Sequence, residues 1–85
     1  MKLSFNSWSR ERILDGRKSL TSRKHNYYYD ERVDYVIGAL PWKFIRTFLY
    51  RDEGASSPAE LQKVIEDIFK REVKDDEMFY VHILK

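Results

Sequence analysis

The sequence predicts a small α+β domain. Three observations predict it: a capped amphipathic helix in the last third, a second helical stripe just upstream of it, and strand-like alternation in the closing segment. The 85 residues, 42% of them hydrophobic, suffice for one compact core over residues 1–85, and a two-domain enzyme is excluded.

The elements follow in order. Leu3 and Phe5 suggest an opening strand, and Ser7 to Asp15 a short helix stopped by Gly16. Ser19 to Arg23 and Val33 to Ile37 read as strands, with a short aromatic strand at 26–29 between them. Pro41 precedes Trp42, Ile45, Phe48 and Leu49 at helical spacing, so a helix over 42–52 is expected, ended by Gly54. Ser57-Pro58-Ala59-Glu60 is a helix start: Ser57 caps, Pro58 fits the first turn, and Glu60 reaches back to the N–H of the cap. Leu61, Val64, Ile65, Ile68 and Phe69 then form one apolar stripe. Met78 to Leu84 alternates, with Phe79, Val81 and Ile83 on one side and Tyr80, His82 and Leu84 on the other, and both faces are expected to be partly buried.

Composition narrows the function classes. There is no cysteine, and the two histidines stand 57 positions apart, so neither a disulfide framework nor a metal centre is expected, and no cofactor is implied. No apolar run approaches the roughly 18–20 residues of a membrane span, and Met1 to Phe5 lacks the apolar stretch of a secretory signal. A soluble, cytoplasmic chain is the expectation. The net charge of +2 hides an asymmetry: residues 1–30 carry seven Lys/Arg against three Asp/Glu, residues 51–85 six against nine. An anionic partner approached by the basic third is one reading, and ordinary solvated surface charge is the other.

The most informative stretch is Ile13 to Lys24, where a helix ends at a glycine and cations surround a hydroxyl. Gly16, Lys18, Thr21 and Arg23 have the spacing glycine, any, lysine, any two, threonine, any, arginine. In this it resembles the ASCH family of the PUA-like superfamily of RNA-associated folds. The resemblance continues through Glu53-Gly54, Ser57 to Leu61, the helix to Phe69 and the closing Phe79-Tyr80-Val81-His82. It implies a small PUA-like curved sheet or partial β-barrel flanked by about three helices. The span between Arg23 and Glu53 is short, however, and lacks the Gly-Asp and alternating apolar residues that usually mark a central barrel strand.

One branch of the family, the bacterial N(4)-acetylcytidine amidohydrolases, is similar in having Gly-Arg-Lys, a threonine three residues after the lysine, and a distant glutamate before the late helix. The resemblance assigns catalytic roles to Lys18, Thr21 and Glu53. The chemistry suits amide hydrolysis: Lys18 takes a proton from Thr21, whose oxygen attacks the acyl carbon, and Glu53 orients the lysine or shuttles a proton. Arg23, with its forked donors, would steady an oxyanion or pair with Glu53. In a regular strand, residues three apart point to opposite faces, so Lys18 and Thr21 meet only where the chain is irregular, which Gly16 allows.

The same cleft fits a non-catalytic RNA-binding module. Lys18, Arg23 and Lys24, with Arg17, then meet an RNA or a modified nucleoside, and an exposed tyrosine of Tyr27-Tyr28-Tyr29, Tyr27 first among them, stacks on a base. The competing structural readings are solvated Lys18 and Arg23, Thr21 as a plain strand residue, and tyrosines alternating between core and surface. Trp8 and Trp42 each begin an apolar helical stripe and suit core packing, although the resemblance puts Trp8 at the cleft mouth. His25 and His82 read as packed or hydrogen-bonded side chains.

Overall fold

The computed structural model describes residues 3–85. Among them run α1 (Ser7–Leu14), β1 (Leu20–Arg23), β2 (Val33–Pro41), α2 (Trp42–Phe48), α3 (Pro58–Phe69) and β3 (Met78–Leu84). The strands make one open antiparallel sheet in the order β1-β3-β2, a small α+β fold with three helices among the described residues. None of these helices is long and apolar enough to cross a membrane.

β3 is the central strand because both of its edges are taken. Leu20 pairs with Ile83 and Ser22 with Val81 on one side; Val36 pairs with His82 and Leu40 with Phe79 on the other. Its alternation turns Phe79 and Val81, both without solvent exposure, into the core. There they meet Trp42 and Ile45 of α2 and Leu61 and Ile65 of α3. The Trp42 ring lies 5.3 Å from that of Phe79, and its indole N–H donates to Gln62 Oε1 at 2.6 Å, so the polar edge of a fully buried ring is satisfied.

α3 begins at Ser57, whose Oγ accepts from the Glu60 N–H at 3.1 Å. Glu60 reaches back one residue further than expected, accepting from the Ser56 N–H at 2.6 Å. α2 starts after Pro41 but ends at Phe48, short of 52. Gly54 therefore does not terminate that helix; its φ of 98° serves a turn beyond it. β2 runs on past Ile37 to Pro41, with irregular register between Ile37 and Leu40. Gly38 allows this extension, since a Cβ there would sit 3.3 Å from the Tyr80 ring.

Two expected strands are absent, and in both cases side chains take the backbone groups that a ladder would use. Leu3 to Phe5 has no strand partner: the Leu3 N–H donates to Asp30 Oδ2 at 2.9 Å, and the Leu3 carbonyl accepts from Arg32. Residues 26–29 form turns, because Asn26 Oδ1 accepts the Tyr28 N–H at 3.0 Å and the Asp30 N–H returns to the Tyr27 carbonyl at 3.0 Å. The Asn26 side chain and the turn closed by the Asp30 N–H override the strand preference of three tyrosines.

Asp30 ties this turn to the N-terminal segment. Hydrogen bonds from the Arg32 side chain, then its backbone N–H, hold the Asp30 carboxyl far below the usual aspartate value of 3.8. A carboxylate depressed on folding contributes stability that is complete above its unfolded pKa and is lost as pH falls through that value toward the folded one. The melting temperature should thus be level above about pH 5 and fall below about pH 4. Asp30→Asn should lower it at neutral pH and flatten the acid limb, as followed by circular dichroism; an unchanged acid limb would contradict this.

Candidate functional site

The site begins where α1 stops. Gly16, at φ 81°, turns the chain, and the N–H groups of Arg17 and Lys18 both return to the Arg12 carbonyl. The chain then runs against the turn after α2. Lys18 bridges Glu53 in antiparallel fashion, and the Ser19 and Leu20 N–H groups share the Asp52 carbonyl. This backbone contact, bridging 35 residues of sequence, places the two side chains together.

Lys18 Nζ lies 2.8 Å from Glu53 Oε1 and 3.2 Å from the Glu53 carbonyl. Ser22 Oγ donates to the other carboxylate oxygen, Oε2, at 2.5 Å. All three residues are buried. Charges withdrawn from water need partners on every polar atom, and here one carboxylate receives the ammonium on one oxygen and a hydroxyl on the other. Gly54 lets the cluster close: a Cβ there would come within 2.9 Å of Arg12 Cδ and 3.2 Å of Lys18 Cβ.

The cluster is part of the lining of a cavity of about 260 Å³ beside β1, an outer strand of the sheet. Lys18, Thr21, Ser22, Arg23 and Glu53 contribute polar lining, and Phe5, Trp8 and the Leu61, Val64 and Ile68 stripe of α3 contribute apolar lining. Its volume is near the lower end of small-molecule pockets, about 300–1,000 Å³. Mixed polar and apolar lining at that size suits a flat ring with hydrogen-bonding edges. Trp8 is braced as part of the wall: the Arg12 guanidinium stacks 3.9 Å from its ring while donating to the Gly54 carbonyl at 2.9 Å.

Thr21 and Arg23 belong by parity to the opposite face of β1 from Ser22 and also contribute to the cavity lining. Arg23 donates to the Ser4 carbonyl at 2.5 Å and lies 3.5 Å from Thr21 Oγ1, with its guanidinium beside the rings of Phe5 and Tyr27. Burial lowers its pKa from the ordinary arginine value. Beneath them His82, fully buried, accepts the Tyr27 N–H on Nε2 at 2.9 Å. Nδ1 then carries the proton and faces the Thr21 carbonyl at 3.2 Å. Desolvation lowers the His82 pKa, in keeping with a neutral ring that clamps β1 to the tyrosine turn.

Of the residues singled out in the sequence, Lys18, Thr21, Arg23, Glu53 and Trp8 line the one cavity. Arg17 lies outside it, exposed and paired with Asp15 at 2.8 Å. Lys24 pairs with Glu77 at 3.0 Å and sits over the Phe79 ring. Tyr27 packs among His25, Tyr29 and His82. Sequence reasoning missed Ser22, although the parity rule that separates Lys18 from Thr21 puts Ser22, four residues on, level with Lys18. Compared with protein-family models, with curated proteins and with solved structures, the chain matches none.

Proposed function

We propose that the chain is an ASCH-like domain whose cavity takes a pyrimidine nucleoside and hydrolyses the amide of an N(4)-acylated cytidine. The observation that carries this reading is the buried Lys18–Glu53–Ser22 cluster set in the wall of a cavity of nucleobase size, with the Thr21 side of β1 bordering the same space. The base lies against Trp8 and the α3 stripe and turns its exocyclic amide toward the polar lining. Thr21 Oγ1 attacks the acyl carbon, and its proton passes to the Lys18–Glu53 pair. The carbon–nitrogen bond then breaks as the pair returns a proton to N4, releasing cytidine. Water cleaves the resulting threonyl ester, giving the free acid and restoring the hydroxyl. Ser22 fixes the plane of the Glu53 carboxylate throughout.

Incubation with 4-acetylcytidine followed by chromatography tests this. The expected result is release of cytidine, lost by about 100-fold or more in Thr21→Val and retained in Thr21→Ser. A second reading draws on the exposure of Tyr28 (72%) and Tyr29 (46%), whose rings adjoin each other, a surface on which single-stranded RNA would stack. No cytidine from the pure protein, together with salt-sensitive RNA binding lost in Tyr28→Ala, would establish the binding module in place of the hydrolase.

A further inference from the structure

We propose that the ligand of this cavity is anionic, a pyrimidine nucleoside monophosphate whose phosphate is received by Arg23. The proposal rests on the pyrimidine reading above and adds the ligand's charge.

The argument starts from charge balance. Lys18 is neutralised within the cavity wall by Glu53. Arg12, Arg17, Arg32, Arg46 and Arg71 each have a carboxylate within 4.0 Å. Arg23 forms no ion pair among the described residues, although it is partly buried and lines the cavity. The cavity therefore carries one uncompensated positive charge. Holding a guanidinium in this half-apolar place costs solvation that its neutral neighbours, a carbonyl and a hydroxyl, only partly restore. Its pKa is lowered by that burial, in the same sense.

Geometry points the same way. The Ser4 carbonyl and Thr21 Oγ1 take donors on Nη2 and Nε, while a guanidinium offers five N–H groups in a fixed fork. The rings of Phe5 and Tyr27, 5.2 and 6.0 Å from the guanidinium carbon, hold it in place. A planar, pre-oriented fork with spare donors matches the oxygens of a phosphate. Arg23 and the Lys18–Glu53 pair are separate polar groups in the lining of one hollow, a division suited to a phosphate and a base joined by a sugar.

Calorimetric titration of the full chain with cytidine, cytidine 5′-monophosphate and inorganic phosphate tests the assignment. The monophosphate should bind about tenfold or more tighter than cytidine. Arg23→Gln should erase that preference, bringing the two affinities within about twofold of each other, and Arg23→Lys, which keeps the charge but not the fork, should retain part of it. Equal affinity for the two ligands, or a preference that survives in Arg23→Gln, overturns the proposal and leaves the pyrimidine reading standing. Phosphate binding that depends on Arg23, without any response to cytidine, keeps the anion site and removes the pyrimidine. Silence from all three ligands removes both.

Discussion

Glu53→Ala should destabilise the protein by about 3–5 kcal/mol, and Lys18→Met by a similar amount. Each leaves the other charge buried without its partner, and the Glu53 change also strands the Ser22 hydroxyl, which donates to Oε2. The pair itself is not the source of the stability. Removing both charged groups together, as in Lys18→Met with Glu53→Leu, should recover most of the loss, because the desolvation cost disappears with the attraction. Urea unfolding of the two single variants and the double variant measures this directly. Single variants within about 1 kcal/mol of the parent would show that water reaches the pair and screens it. A recovered double variant that is inert toward 4-acetylcytidine would separate the chemical role of the pair from its structural cost.

Trp42→Ala should cost about 3–5 kcal/mol, the usual range for removing a fully buried large aromatic. The indole is without solvent exposure, packs on Phe79, and is the donor that fixes Gln62. Gln62 in turn binds Glu66 and the Val73 carbonyl, so the loss spreads along α3 into the segment that leads to β3. A domain of this size is stable by about 4–13 kcal/mol, so such a loss brings it close to unfolding at ambient temperature. Each kcal/mol corresponds to about 4–8 °C in the melting temperature. Trp42→Phe should retain more of the packing and lose the bond to Gln62, placing it between the two.

The parts of the fold legible in the sequence are those determined locally. Ser57, Pro58 and the stripe from Leu61 to Phe69 specify α3 within a dozen residues, and nothing distant competes with them. Gly16 marks the end of α1 for the same reason, since its positive φ is a property of one residue. The tyrosines at 27–29 misled because strand preference is a weak statement about packing, whereas the Asn26 side chain bonds the Tyr28 N–H directly and the Asp30 N–H closes a turn on the Tyr27 carbonyl. Leu3 to Phe5 misled in a related way: its backbone groups are claimed by Asp30 and Arg32, 27 and 29 residues on. At the site, Lys18 and Glu53 were named through a resemblance and not through any local rule. Their contact depends on the bridge between residues 18 and 53, which no periodicity encodes. Parity alone sets Ser22 level with Lys18, but its bond to Glu53 follows only once that bridge is known.

The central position of β3 bears on the order in which the molecule assembles. β1 and β2 are synthesised early yet form no ladder with each other, and each pairs only with residues 78–84. A nascent chain lacking that strand has two unmatched edges and an apolar α3 with little to cover. The sheet beside the cavity consequently cannot close before β3 is made, and its closure is a long-loop event that favours slow folding over gradual growth.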